Sequence, residues 1–293
     1  MSTTPGPPLA SSSARPLTIA VTGATGKVGG RVAELLHDAD LHQRLLVRNP
    51  AKAPAWADDV AVASYGQADA AAQALQGVDL LFMVSAAESA DRLEQHKTFI
   101  DAACAAGVRH VVYTSFLAAS PDAAFTLART HQATEEHLRQ SGMAFTFLRD
   151  SFYADFIPDL AVDGVIAGPA GSGRVAAVAR ADVARSAAAI LAAAASGDTS
   201  HDGATYELTG PEAFTLAEAA ATIAAVTSRP TVYRDQSLEE AYASRRSYGV
   251  PDWQLDAWVS TYTAIASGEL AAVTDDVRVL TGRTPLTLAQ VLR

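Results

Sequence analysis

Glycines stand at positions 23, 26 and 29 in Thr22-Gly23-Ala24-Thr25-Gly26-Lys27-Val28-Gly29, after the apolar run Leu17 to Val21 and before Val32, Leu35 and Leu36 at helical spacing. That order is strand, tight loop, helix. The first glycine permits a sharp turn, the second lets backbone approach a pyrophosphate, and the third lets helix pack close to strand. The helix N-terminus then adds free N–H groups and a partial positive charge. The segment predicts an anionic dinucleotide along Gly23, Ala24, Thr25, Gly26, Lys27, Val28 and Gly29. At the end of the second strand, where an acidic residue would hydrogen-bond the ribose hydroxyls, the chain has Arg48, with Lys52 close behind. A guanidinium reaches a phosphate bidentately and stacks on adenine, so the expected cofactor is NADP(H), with NAD(H) as the weaker option. Asp38 and Asp40 come before that strand and are poorly placed for a ribose.

The elements that position these groups are read from periodicity and punctuation. Strands fit Arg44 to Arg48, Val60 to Ala63, Asp79 to Val84, Val108 to Thr114 and Ala144 to Leu148, separated by helical patterns such as Ala68 to Leu75 and Arg92 to Ala106. Gly77 and Gly107 close two of those helices, each followed at once by an apolar strand. Alternating strands and helices predict an α/β fold, a Rossmann-type doubly wound parallel sheet, because parallel strands need crossovers that bury both sheet faces. After Leu148 the pattern loosens, with four glycines and a proline between 163 and 173, then a helix from Ala181 and a candidate returning strand at Tyr206 to Thr209. The expected organisation is a disordered tail over 1–16, a dinucleotide-binding domain over 17–150, and a region 151–293 that is mainly a smaller helix-rich C-terminal substrate cap. Within it, 181–209 is expected to return to the first domain.

The 293 residues are 49% hydrophobic and 18% charged, which excludes a wholly disordered chain. A formal charge of −10 opposes direct binding to nucleic acid or anionic membrane. No run reaches the roughly 18 apolar residues of a spanning helix, and residues 1–16 lack the apolar stretch of a signal peptide, so a cytoplasmic protein is expected. Its single cysteine, Cys104, rules out an internal disulfide and any multi-cysteine metal centre. No metal is expected, and Cys104 reads as a small core residue. The chain is compatible with self-association or a regulatory protein partner.

Six signposts, Thr22 to Gly29, Val47 to Lys52, Ala105-Ala106-Gly107-Val108, Tyr113-Thr114-Ser115, Phe147-Leu148-Arg149 and Ala181-Asp182-Val183-Ala184, resemble the atypical short-chain dehydrogenase/reductases that include the NmrA-like proteins. The likeness is greatest to the group of NAD(P)H:quinone oxidoreductase type 2 and triphenylmethane reductase. This resemblance implies a cofactor along Gly23 to Gly29, with Arg48 at the adenosine phosphate. It places Val84, Ser85 and Ala86 beside the cofactor after the fourth strand, and Arg149, Asp150, Phe152 and Tyr153 after the sixth, the nicotinamide facing the cap. Two positions depart from the family pattern: Ser64 replaces a frequent aspartate near adenine, and Asp150 replaces an asparagine.

Ordinary members of the wider superfamily carry Tyr-x-x-x-Lys on a helix, where the lysine lowers the tyrosine pKa. The corresponding helix here has His131-Gln132-Ala133-Thr134-Glu135. Beside Glu135, His131 is expected to favour the imidazolium form. Without the tyrosine–lysine pair, an acceptor that is easily reduced is expected, such as a quinone or a similar small electrophile, since orientation alone can supply about 7–11 kcal/mol. His131 and Tyr153 are the candidate catalytic groups. His131 also belongs to the stripe Leu127, His131, Thr134 and Leu138, which alone could explain it, and His96 reads as structural or surface. The acceptor is expected to be chosen in the cap that carries Phe152, Tyr153, Phe156, Trp253, Trp258 and Tyr262, most of these aromatics reading as core rather than ligand-facing. The leading expectation is an NADPH-dependent oxidoreductase. The alternative is a non-catalytic NADP(H)-binding redox sensor.

Overall fold

A computed structural model describes residues 17–293, so the expected tail over 1–16 lies outside the described residues. Short apolar runs become the strands β1 (Ile19–Thr22), β2 (Gln43–Val47), β3 (Val60–Val62), β4 (Leu80–Met83), β5 (His110–Phe116) and β6 (Ala144–Asp150). Between them lie the helices α1 (Lys27–Asp38), α2 (Ala68–Ala74), α3 (Arg92–Ala105) and α4 (Thr126–Gln140). Further along come β7 (Ala161–Val162), β8 (Val165–Gly168), β9 (Arg174–Val175), α5 (Arg180–Ala195) and β10 (Thr205–Leu208). The remainder is β11 (Phe214–Thr215), α6 (Leu216–Thr227), β12 (Val232–Asp235), α7 (Leu238–Arg246), α8 (Asp252–Ser267), α9 (Asp276–Thr281) and α10 (Leu288–Val291).

Seven parallel strands form the main sheet in the order β10-β6-β5-β4-β1-β2-β3. β1 and β4 are buried along their whole length, as expected of strands covered on both faces. One core layer joins β1, α1 and α5 through Val21, Val32, Leu36, Val183 and Ile190. The opposite layer joins the sheet to α2, α3 and α4 through Leu75, Phe99, Ile100 and Leu138. Winding reverses between β1 and β4, so the loops after these two strands flank the crevice in which doubly wound sheets hold ligands.

A third apolar cluster, containing Phe116, Phe125, Ile157, Ile166, Leu216 and Tyr262, ties the end of the sheet to the C-terminal elements. Here β8 pairs antiparallel with β7 and parallel with β12, giving a small sheet whose central strand lies in the glycine-rich stretch that showed little periodicity. Cys104 corrects its sequence reading: it is exposed, because it sits one position past Ala103 on α3 and faces away from the layer that buries Phe99, Ile100 and Ala103. Among the described residues no helix is long and apolar enough to cross a membrane.

Candidate cofactor and acceptor site

Gly23 adopts φ 59°, a left-handed conformation that turns the chain out of β1. A Cβ on Gly29 would lie 2.5 Å from the carbonyl oxygens of both Thr22 and Gly23, so α1 packs on β1 at a distance only glycine permits. Gly26 caps α1, no side chain caps it, and no acidic residue occupies its first turn. Gly23, Thr25, Gly26 and Lys27 are exposed, whereas Ala24, Val28 and Gly29 are buried beneath them. A bare helix N-terminus with a cationic lysine and a cradle that a Cβ would fill suits a pyrophosphate. Arg48 and Lys52 are exposed just past β2, whose Leu46 is in register with Thr22 of β1. The two cations thus stand at the same edge of the sheet as the glycine loop. Ser64 is partly buried beyond β3.

The loop after β4 is held by buried polar side chains that sequence reasoning overlooked. Val84 N–H donates to Thr22 Oγ1 (2.9 Å), Ser85 N–H to Thr114 Oγ1 (2.8 Å) and Ala86 N–H to His96 Nε2 (2.8 Å). Tyr65 donates its hydroxyl to the Val84 carbonyl, and Arg92 Nε donates to the Ala86 carbonyl (2.9 Å). Because His96 Nε2 accepts a backbone proton, Nδ1 carries the ring hydrogen and donates to Thr134 Oγ1 (2.9 Å). His96 is therefore a buried clamp on this loop.

His131 lies on the wall of the cavity with both nitrogens engaged. Arg92 Nη2 donates to Nε2 (2.9 Å), so Nδ1 bears the proton and donates to the Tyr113 hydroxyl oxygen (2.9 Å). Burial, then the positive charge of Arg92, holds its pKa well below the usual imidazole range. The expected imidazolium is corrected to a neutral ring, because Glu135 faces elsewhere. Its carboxylate accepts from Ser115 Oγ (2.6 Å), Arg149 Nε (2.8 Å), Arg149 Nη2 (2.7 Å) and Arg139 Nη2 (3.1 Å). Arg149, placed beside the cofactor by resemblance, thus commits one face of its guanidinium to Glu135. Arg92 is 4% exposed and lines the cavity, and among the described residues no carboxylate forms an ion pair with it.

Two buried histidines held neutral make acid stability a direct readout of this network. Burial and Arg92 push His96 down to about 3, while the unfolded ring titrates near 6.5. The unfolded chain thus takes up a proton first as pH falls. The stability contribution is complete above pH 6.5 and is lost progressively toward about 3, by up to about 1.4 kcal/mol per pH unit. Asp150, whose carboxyl burial holds well above the carboxylate range, acts in the opposite sense. The difference between parent and variant isolates the histidine: His96→Gln should flatten the loss of urea-unfolding stability between pH 7 and 5. An unaltered slope would show that His96 is not held neutral.

A cavity of about 850 Å³ opens between the ends of β4 to β6 and the cap. Its near wall includes Ser85, Ala86, Arg92, His131, Asp150 and Ser151. Phe152, Tyr153, Phe156, Trp258 and Tyr262 line it, more of the cap aromatics than the reading of most as core implied, joined by Phe116, Phe125 and Tyr248; Trp253 is not among the lining residues. Phe152 meets Phe116 and Phe125 edge-on, with ring centres 5.0 and 5.2 Å apart. Among the described residues Asp150 Oδ1 and Ser151 Oγ are buried without hydrogen-bond partners, whereas Asp150 Oδ2 accepts from the Tyr153 hydroxyl (3.0 Å). Orphaned polar atoms beside an apolar cavity fit the carboxamide end of a nicotinamide. The structure thus gathers Ser85, Ala86, His131, Asp150, Phe152 and Tyr153 around one cavity. The glycine loop, Arg48 and Lys52 lie at the carboxyl edge of β1 and β2, and Arg149 faces Glu135.

The NAD(P)H-binding family matches residues 23–194. Quinone oxidoreductase 2 of Escherichia coli is 36% identical over 281 residues, spanning 93% of this chain and 96% of that protein. The crystal structure of the E. coli NADPH-dependent quinone oxidoreductase complexed with NADPH superposes with a TM-score of 0.83 at 35% identity, covering 94% of this chain and 98% of that one. The Citrobacter sp. triphenylmethane reductase complexed with NADP(H) gives a TM-score of 0.81 at 32% identity, covering 94% and 98%. With a family match over more than half its length and relatives aligned almost end to end, the chain belongs to the NAD(P)H-binding, NmrA-like group of atypical short-chain dehydrogenase/reductases.

Proposed function

We propose that the protein is an NADPH-dependent oxidoreductase that reduces a quinone or a similarly activated small electrophile. The observation that carries this reading is the aromatic-walled cavity between the loop after β4 and the cap, of about 850 Å³, enough for a nicotinamide and a flat guest. Gly23 to Gly29 would hold the pyrophosphate, Arg48 and Lys52 the adenosine phosphate, and Val84, Ser85, Ala86, Asp150 and Phe152 the nicotinamide end. Bound there, the cofactor supplies a hydride. The chain's own residues do the rest: the clamped loop fixes the nicotinamide pocket, and Phe152, Tyr153 and Trp258 exclude water and align the acceptor ring. Arg92, buried and, among the described residues, in no ion pair with a carboxylate, places positive charge where an acceptor oxygen becomes anionic. His131 keeps that guanidinium in place.

No tyrosine in the chain is followed four residues later by lysine, consistent with an acceptor whose reduced form is a weakly basic phenolate rather than an alkoxide. The domain division follows: residues 17–150 carry the cofactor, 151–293 mainly select the acceptor, and 181–209 complete the sheet.

Loss of reduced-nicotinamide absorbance with a panel of quinones tests the reading. Turnover is expected; absence of turnover with every acceptor, with NADPH still bound, would favour the cofactor-sensing role instead. Arg48→Ala is expected to weaken NADPH binding about tenfold, or about 1.4 kcal/mol, while leaving NADH nearly unaffected. Calorimetry with both cofactors checks this, and equal losses would remove Arg48 from the 2′-phosphate.

A further inference from the structure

We propose that Asp150 holds a proton as a neutral carboxylic acid and passes it through the Tyr153 hydroxyl to the acceptor oxygen as the hydride arrives. The proposal rests on the oxidoreductase reading and names the proton source that reading leaves open.

Asp150 ends β6, lines the cavity and is 2% exposed. Its Oδ2 lies 3.0 Å from the Tyr153 hydroxyl, which donates to the carboxylate. Once Oδ2 is protonated the bond reverses, Asp150 donating to the Tyr153 oxygen and freeing the Tyr153 O–H for the acceptor. Oδ1 is buried with no partner among the described residues. Among the described residues no lysine, arginine or histidine forms an ion pair with it. A buried carboxylate with one donor and no counter-ion is the unfavourable form, and the neutral acid is the favoured one. Burial accordingly pushes its pKa well above the carboxylate range.

The surrounding groups agree with this assignment. Arg180 of α5 stands 4.9 Å from the centre of the Tyr153 ring, so this cation acts on the tyrosine. Burial first, then Asp150, raise the Tyr153 pKa; Arg180 opposes them and Asp155 adds to the rise. Tyr113 of β5 is neutral, and Arg92 of α3 and neutral His131 of α4 line the same cavity. A neutral carboxylic acid can pass its proton to the more basic phenolate oxygen of a quinol anion.

The step balances. The hydride forms one bond to the acceptor, and the displaced electron pair settles on a ring oxygen. The Tyr153 O–H bond breaks as its proton bonds that oxygen, while the Asp150 proton moves to the Tyr153 oxygen. Asp150 is left as a carboxylate and regains a proton from water once product has left. One hydride and one proton convert quinone to quinol.

Asp150→Asn and Tyr153→Phe test the relay in single turnovers with 1,4-naphthoquinone, which needs a proton, and malachite green, a cationic dye that accepts hydride without one. Quinone reduction is expected to slow tenfold or more in both variants, and its decline with rising pH to disappear in Asp150→Asn. Dye reduction should fall at least tenfold less. Infrared spectra of the protein alone at pH 7 should show a neutral-carboxyl carbonyl stretch that Asp150→Asn removes and Tyr153→Phe retains. Equal slowing with both acceptors, unchanged quinone rates or absence of that band in the parent would overturn the proposal while leaving the oxidoreductase reading intact. If the parent protein reduces neither acceptor, that reading itself fails and the proposal with it.

Discussion

Gly29→Ala is expected to weaken NADPH binding by about 100-fold or more, equivalent to about 2.7 kcal/mol. The added carbon would sit 2.5 Å from two backbone oxygens, Thr22 O and Gly23 O, and neither belongs to a flexible side chain that could swing aside. Relief requires α1 to move away from β1. That movement shifts the first-turn amides from the cradle and strips contacts from Val28, Val32 and Leu36, which bury against the sheet. Gly30 provides the control: its Cβ would come 3.1 Å from the Ala24 carbonyl, a strain of a few tenths of an ångström. Alanine there would also gain about 1 kcal/mol of helix propensity. Gly30→Ala should therefore bind NADPH within a few-fold of the parent. Calorimetry on both variants, with circular dichroism to confirm folding, separates loss of the cradle from loss of the fold. Near-equal affinity of Gly29→Ala and the parent would show that the pyrophosphate lies elsewhere.

The alternation of strand and helix was legible because each central strand is buried on both faces and must be apolar throughout, as Leu80 to Met83 is. The glycine loop was legible because its constraint is local: each glycine answers to backbone within a few residues. The polar network beneath the loop after β4 was not. Arg92, His96, Tyr113 and Thr134 come from three separate elements, and only the sheet order brings α3 and α4 beside β5. A buried arginine is also atypical enough that an isolated one within a helical pattern reads as a solvated charge. The small cap sheet escaped for another reason: β7 has two residues and β8 only four, preceded by Gly164 and ending at Gly168, so neither produces alternation long enough to detect. Tyr153 was found by its position after the sixth strand, but its link to Asp150 depends on the three-residue turn that brings the hydroxyl back to Oδ2.

Glu135→Ala is expected to destabilise the protein by about 3–5 kcal/mol, the range for removing one partner of a buried ion pair. The Glu135 side chain has no exposed surface, while the Arg149 side chain is 20% exposed. Four donors converge on its two oxygens, two of them in the parallel fork of Arg149. Truncation would strand Arg149 and the Ser115 hydroxyl between β5 and β6, next to the strand end that carries Asp150. The i,i+4 spacing from His131 suggested a His–Glu pair, yet such spacing fixes only proximity along a helix, and each side chain is claimed by the sheet residue facing it. His131 meets Tyr113, whereas Glu135 meets Ser115 and Arg149. If stranded charge is the main penalty, the paired replacement Glu135→Met with Arg149→Leu should recover most of the loss, because it removes both charges and refills the space. Urea unfolding of the single and double variants decides this. A single variant within about 1 kcal/mol of the parent would place the ion pair among the surface bridges of little consequence. A double variant no better than the single would mean that what Glu135 contributes is its bond to Ser115 and the registration of β5 with α4.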